Sequence, residues 1–211
     1  MRIAAGLHPH NAKYWGPEIE ERLRALLHDK RTSCLGEIGL DYHYDLSPRE
    51  DQERAFRAQV RIAKEAGLPV MLHVREAHDD ALAIMRDEGW PEAGCILHCF
   101  TSDWETLEPW IDAGCSVTFG GALTFNNGDA IRDAAARVPE MQLMVETDSP
   151  YMAPKPLRGE VCEPAMVVFT ESALADVRGA EGEERLALFR RVLTNAESML
   201  NRPPTAWQLG K

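Results

Sequence analysis

The sequence lacks several features that identify common protein classes. Its 211 residues contain no CxxC pair, so zinc-finger and thioredoxin-like structures have no support. No apolar run is long enough to span a bilayer, and the N-terminus lacks a signal-peptide pattern. We therefore expect a cytoplasmic protein with no membrane partner. Glycine-rich nucleotide loops, a serine nucleophile elbow and a Cys–His catalytic signature are also missing, so enzymes built on them are not indicated.

The sequence also has fewer basic than acidic residues. It has 23 Lys and Arg against 34 Asp and Glu, which gives a net charge of −11. This balance argues against a broad basic surface that wraps duplex nucleic acid. A nuclease is still compatible with it, because such an enzyme needs a metal and a few cations at its cleft. The five cysteines are an odd number, and we expect buried free thiols.

Apolar runs alternate with amphipathic stretches along the whole chain. This alternation predicts βα units around a parallel sheet. Ser-x-x-Glu boxes at Ser47 and Ser102 should cap two helices, and Gly67 should end the first of them in a left-handed conformation. No linker interrupts the pattern, so residues 1–211 are predicted to form a single domain. The predicted strands are 3–7, 34–40, 69–74, 95–100, 115–119 and 142–146, and the predicted helices are 17–28, 48–67, 77–88, 102–113, 129–138, 164–178 and 181–200.

Four side chains with metal-binding chemistry stand near the C-terminal ends of predicted strands. They are Glu37, His73, His98 and Asp148. The C-terminal ends of barrel strands meet at one face, which is where α/β barrels build their active sites. Two imidazoles and two carboxylates suit a divalent metal. The pattern therefore predicts a metal-dependent hydrolase in which a carboxylate takes a proton from the attacking water.

Each of these residues also has a simpler interpretation. A lone histidine at a strand end is more often a core residue than a ligand. Glu37 could pair with an arginine of a neighbouring strand, since burying an unpaired carboxylate is costly. Asp148 could only cap the turn before Pro150. The metal site is favoured because all four residues occur at the same end of their strands.

Two further residues are predicted to contact substrate. His8 belongs to a His-Pro-His segment, and Pro9 places it in the loop after the first strand. We expect His8 to bind substrate rather than metal, and a histidine without any role fits the pattern equally well. Arg75 follows His73 at the start of a helix, where a cation and free backbone N–H groups favour phosphate. A solvated helix face explains Arg75 equally well.

Six segments of the chain resemble those of the TatD family of metal-dependent deoxyribonucleases. They occur in the family's order and cover nearly the whole chain, so together they are highly specific. They are Gly6-Leu7-His8-Pro9-His10, Gly36-Glu37-Ile38-Gly39-Leu40-Asp41-Tyr42, Ser47-Pro48-Arg49-Glu50-Asp51-Gln52, Pro69-Val70-Met71-Leu72-His73, Leu97-His98-Cys99-Phe100 and Glu146-Thr147-Asp148-Ser149-Pro150-Tyr151.

The resemblance implies an α/β fold, a TIM-like (β/α) barrel of the metal-dependent hydrolase type. It also implies hydrolysis of phosphodiesters such as DNA, often as a 3′→5′ exonuclease. It places the metal ligands at Glu37, His73, His98 and Asp148, with Glu37 and Asp148 also catalytic. The cofactor would be a divalent ion, namely Mg, Mn or Zn.

The family usually begins with two βα units that this sequence does not show. At roughly 30 residues each, they would bring the chain to about 270 residues, a usual size for this barrel. We expect a truncated barrel whose open edges are either covered by a homodimer or leave the chain less stable than a full barrel.

Two other functions stay open from the sequence. One is a hydrolase that attacks a carbonyl, such as an amidohydrolase-like enzyme or a tRNA deacylase, because the same metal site would polarise that group. The other is a metal-binding or scaffold protein with weak catalysis.

Overall fold

The structure, a computed structural model, describes residues 1–210 of the chain. Within these residues, strands and helices alternate, and neighbouring strands in the six-stranded sheet follow chain order. The strands are β1 (Ile3–Ala5), β2 (Thr32–Asp41), β3 (Val70–Arg75), β4 (Cys95–Leu97), β5 (Ser116–Phe119) and β6 (Leu143–Val145). The helices are α1 (Pro17–Leu27), α2 (Arg49–Ala66), α3 (His78–Glu88), α4 (Trp104–Asp112), α5 (Asp129–Arg137), α6 (Val167–Val177) and α7 (Gly182–Leu200).

The chain divides into two compact units. The first unit contains residues 1–96 and the C-terminal residues from 198 onward, and the second contains residues 97–197. That residues 1–211 form one domain stays a prediction.

In the first unit, β2 lies between β1 and β3 and is parallel to both. Nearly all of its residues are buried, as expected for a parallel strand covered on both faces. The register with β3 shifts between Leu35 and Ile38, because Leu35 pairs with Val70 whereas Ile38 pairs with Leu72. Three residues of β2 therefore span two of β3, which is a β-bulge. Glu37 lies inside this bulge, so the irregularity sets the direction of its side chain.

Two glycines allow β2 to run close to β3. A Cβ atom at Gly39, where φ is +139°, would lie 2.0 Å from the carbonyl oxygen of His73. A Cβ atom at Gly36 would lie 2.6 Å from the Cβ of Met71. Real Cβ atoms do not approach this closely, so both positions require glycine for the strands to keep this spacing.

Helix α2 packs on this part of the sheet through an apolar face that includes Phe56 and Val60. It ends at Gly67, whose φ of 66° is the predicted left-handed conformation. The predicted capping box at Ser47 is wrong, because the helix begins at Arg49 after Pro48. The Ser47 hydroxyl instead donates to the His10 carbonyl at 2.8 Å, which ties the start of α2 to the segment after β1.

In the second unit, β5 and β6 are parallel and adjacent, with Val117 opposite Leu143. Every residue of β5 is buried, and Trp110 of α4 and Phe119 are among the largest fully buried side chains. The predicted cap at Ser102 is wrong as well. Asp103 caps α4, since its carboxylate accepts a hydrogen bond from the Thr106 N–H at 3.0 Å.

Every predicted strand and helix is present, with ends that differ by a few residues. Four of the five cysteines are buried and Cys99 is half-buried, which confirms the expected burial for four of them. Burial raises the pKa of the Cys34 thiol far above its usual range. Among residues 1–210, none of the helices combines the length and apolar character that crossing a membrane requires.

Candidate metal centre

Glu37 and His73 are brought together in the first unit by the pairing of β2 with β3. The Oε2 atom of Glu37 lies 3.8 Å from Nδ1 of His73. This separation is too long for a hydrogen bond. Two metal–ligand bonds of about 2.1 Å each would bridge it after a small closing movement. The pair therefore has the spacing that a shared ion requires.

Asp41, the last residue of β2, binds the other ring nitrogen of His73. Its Oδ2 atom lies 2.9 Å from Nε2 of His73 and 2.9 Å from Nε2 of His10. Its Oδ1 atom accepts hydrogen bonds from the backbone N–H groups of His43 and Tyr44. Burial would raise the pKa of this carboxyl, but the hydrogen bonds from Tyr44, His10 and His73 outweigh it and lower the pKa to about 2. Asp41 is therefore an ionised acceptor at neutral pH.

His8 faces the same carboxylate of Glu37 but has a different hydrogen-bonding state. Its Nδ1 atom accepts from the backbone N–H of His10 at 3.2 Å, so in the neutral ring Nε2 carries the proton. Burial, followed by the nearby rings of His73 and His10, lowers the pKa of His8 to about 4. At neutral pH the ring is uncharged and presents an N–H, which suits hydrogen bonding to substrate better than ligation.

The residues of the first unit fit a divalent metal. His8, His10 and His73 offer ring nitrogens that all lie within 4.8 Å of one another. However, Asp41 engages His10 and His73 through Nε2, and the His10 N–H engages His8 through Nδ1. The pair of His73 Nδ1 and Glu37 Oε2 is therefore the better donor set. One imidazole nitrogen and one carboxylate oxygen are compatible with zinc and manganese, so the donors do not select one metal.

The second unit places His98 directly after β4. Its Nδ1 atom lies 3.0 Å from Oε2 of Glu146, and the Thr118 hydroxyl donates to the same oxygen at 2.5 Å. Burial raises the pKa of the Glu146 carboxyl, but the bonds from His98 and Thr118 outweigh it and lower this pKa. Among residues 1–210, the buried Oε1 atom of Glu146 has no hydrogen-bond partner.

Asp148 lies in the turn that follows β6 and is partly exposed. Its carbonyl accepts a hydrogen bond from the Tyr151 N–H at 2.6 Å. That His98 and Asp148 bind one metal together with Glu37 and His73 stays a prediction.

The predicted place of Arg75 at the start of a helix is wrong, because Arg75 ends β3 and α3 begins at His78. Arg75 is exposed, as a residue that contacts substrate must be. Its guanidinium carbon lies 4.8 Å from the centroid of the Tyr44 ring, and Tyr44 is itself 53% exposed. Phosphate groups and unpaired bases bind to such a combination of a cation and an aromatic ring.

Sequence reasoning assigned no role to Asp41 and Glu146. Asp41 ends β2 and Glu146 directly follows β6, so the strand-end signal that singled out the predicted ligands was available for both. Sequence alone does not distinguish a carboxylate that faces a metal from one that faces the back of a histidine ring. That difference depends on strand pairing and on the bulge around Glu37.

Comparisons with known proteins decide the family. The model of the TatD-related DNase family matches residues 1–201. The chain belongs to this family. The metal-dependent hydrolase YcfH of Escherichia coli K12 is 41% identical over 182 residues, which are 86% of this chain and 68% of that protein. The 3′-5′ ssDNA/RNA exonuclease TatD of Pantoea vagans is 37% identical over 202 residues, 92% of this chain and 76% of that protein.

Solved structures confirm the fold of this TatD-related protein. The crystal structure of YJJV, a TatD homologue from Escherichia coli K12, superposes with a TM-score of 0.87 at 27% identity. The match covers 96% of this chain and 77% of that structure. The predicted TIM-like α/β fold and the TatD resemblance are thus confirmed, and the chain is a metal-dependent hydrolase of the TatD type that acts on ester bonds.

Proposed function

We propose that this chain hydrolyses phosphodiester bonds of DNA, as a 3′→5′ exonuclease that prefers single strands. The observation that carries the proposal is the spacing of Glu37 and His73, at 3.8 Å between Oε2 and Nδ1, with Arg75 exposed at the end of the same strand as His73. The Pantoea vagans relative, a protein named 3′-5′ ssDNA/RNA exonuclease TatD, supports the same substrate class.

We propose that His98 and Asp148 complete the ligand set begun by Glu37 and His73. When bound, a divalent ion supplies Lewis-acid activation of water and neutralises charge on the phosphate. Asp148 and Glu37 are the acceptors for the proton of the attacking water.

His8 and Arg75 bind the substrate in this proposal. His8 is uncharged at neutral pH and donates its Nε2–H to a phosphate oxygen, which adds no charge to the site. Arg75 supplies the positive charge, and its guanidinium can bind two phosphate oxygens at once. The exposed Tyr44 ring beside it offers a surface on which an unpaired base can stack. This arrangement favours a flexible single strand over duplex DNA.

A nuclease assay with a substrate panel tests the proposal. Single-stranded DNA labelled at either end is incubated with protein that has been freed of metal and then given Mg, Mn or Zn. We expect shortening from the 3′ end, loss of activity in Glu37→Gln, and full activity in Glu50→Gln, a control at an exposed position at the start of α2. Amide and aminoacyl-ester substrates are tested in parallel. Turnover confined to those substrates would identify a carbonyl-directed hydrolase instead, and bound metal without any turnover would identify a binding protein.

The native metal, the homodimer and the cytoplasmic location belong to the same proposal. Donor chemistry allows Mg, Mn or Zn, and the assay above ranks them. Sedimentation analysis of the purified chain tests the dimer that was expected to cover the open sheet edges.

A further inference from the structure

Asp41 and Glu146, which are not among the predicted metal ligands, each contact one of the predicted histidine ligands. The two contacts are made to different nitrogens of the imidazole ring. Asp41 contacts Nε2 of His73 at 2.9 Å, whereas Glu146 contacts Nδ1 of His98 at 3.0 Å. An ionised carboxylate only accepts hydrogen bonds, so the contacted nitrogen carries the proton in each neutral ring. The remaining nitrogen then keeps its lone pair, which is Nδ1 in His73 and Nε2 in His98.

The surroundings of Asp41 fit a positioning role. Its side chain is 0% exposed, so it cannot touch substrate directly. Its two oxygens accept from His10, His73 and the backbone N–H groups of His43 and Tyr44. An asparagine of the same shape has one acceptor oxygen, and its NH2 group would face donors. Replacement by asparagine therefore changes the protonation that the ring of His73 prefers, with little change in volume.

Glu146 is arranged in the same way in the second unit. Its Oε2 atom accepts from Nδ1 of His98 and from the Thr118 hydroxyl. The Thr118 oxygen in turn accepts from the Cys99 N–H at 2.9 Å. This chain of hydrogen bonds fixes the direction of the carboxylate and, through it, the plane of the His98 ring.

We propose that Asp41 and Glu146 are positioning residues that fix opposite protonation states of the two histidines. Through them His73 presents Nδ1 and His98 presents Nε2 to a divalent ion. The inference rests on the metal site of the proposed function. Carboxylates that hold the rear nitrogen of a ligating histidine orient the ring and raise its basicity, and their loss typically weakens metal binding about 10- to 100-fold.

The first test measures metal binding, without reference to any substrate. Titration of the metal-free protein with Co²⁺ is compared for Asp41→Asn and Glu146→Gln. We expect each variant to bind Co²⁺ about 10- to 100-fold more weakly than the parent protein. Asp45→Asn in the first unit and Glu105→Gln in the second are matched controls at exposed positions. Both should bind Co²⁺ as tightly as the parent protein does. Unchanged affinity in both Asp41→Asn and Glu146→Gln would overturn the proposal.

The second test reads the protonation of the rings directly and needs no variant. Nitrogen-15 NMR of the metal-free parent protein should show the proton of His73 on Nε2 and that of His98 on Nδ1. The same tautomer in both rings would overturn the proposal even if a variant fails to fold. In a folded Asp41→Asn protein, the His73 signals should move toward a mixture of tautomers, which a purely structural role would not produce. Absence of nuclease activity would refute the proposed function and leave both readouts intact.

Discussion

The two carboxylate–histidine pairs differ in how fully their carboxylates are bound. Asp41 accepts hydrogen bonds on both oxygens, from two imidazoles and two backbone N–H groups. Glu146 accepts on Oε2 alone, and among residues 1–210 its buried Oε1 has no partner. A fully bound carboxylate holds its histidine in one place. A carboxylate with one unbound oxygen can still take up another donor, so the second pair has more freedom to adjust.

The largest effect is expected when the histidine of either carboxylate–histidine pair, His73 or His98, is removed. His73→Ala and His98→Ala should each abolish bound metal while the fold persists, because each ring supplies a ligand atom and little core packing. Elemental analysis of purified protein measures the metal, and circular dichroism checks the fold. His28→Ala, whose ring contacts Trp207, should retain its metal. Parental metal content in both histidine variants would refute the site assignment.

The next prediction separates metal binding from proton transfer. Asp148→Asn should lower turnover by about 100-fold or more, because an amide cannot accept a proton from the attacking water. Its metal affinity should fall by a smaller factor than the turnover does, since three other ligands remain and the amide oxygen can still bind a metal. Single-turnover kinetics and Co²⁺ titration provide the two numbers. Equal losses in both would make Asp148 chiefly a ligand.

The third prediction concerns His8, a partly buried imidazole beside the pair of Asp41 and His73. Its pKa is about 4 in the folded protein and 6.5 in the unfolded chain, so the unfolded chain binds more protons between these values. Folding stability should therefore be complete above pH 6.5 and fall as the pH drops toward 4, by up to about 3 kcal/mol. Urea unfolding of chelator-treated protein at several pH values measures the slope.

A matched variant assigns that slope to His8. His8→Gln should flatten the decline between pH 6.5 and 4, whereas Asp41 titrates mainly below this window because its folded pKa is about 2. An unchanged slope in His8→Gln would show that other groups cause it.

The smallest effect is expected for Thr118, whose hydroxyl donates to Glu146 in the pair of Glu146 and His98. Thr118→Val removes a donor to Glu146 and an acceptor for the Cys99 N–H, which should lower stability by about 2 kcal/mol. Thr118→Ser keeps the hydroxyl and should lose only about 1 kcal/mol, for one buried methyl group. Thermal unfolding compares the two. Equal destabilisation would show that packing, and not the hydrogen bonds, sets the contribution of Thr118.

Sequence patterns predicted the order of strands and helices because alternating apolar and amphipathic segments depend on local periodicity. They also predicted the closeness of Glu37 and His73, since the ends of adjacent parallel strands must meet. They failed at Ser47, because its hydroxyl is used by the segment after β1, a contact across 37 residues. They did not predict the bulge around Glu37, which arises from pairing between strands.

The close approach of β2 and β3 at Gly39 has a consequence for protein engineering. Libraries that aim to change substrate preference usually vary residues beside the reacting groups, and position 39 lies between Glu37 and Asp41. Any side chain there would meet the His73 carbonyl and push the two strands apart. A substitution at position 39 would therefore change the distance between Glu37 and His73 as well as the contacts with substrate. Variation is better directed to exposed positions such as Tyr44 and Arg75, where new side chains can be tried without moving the backbone that carries the chemistry.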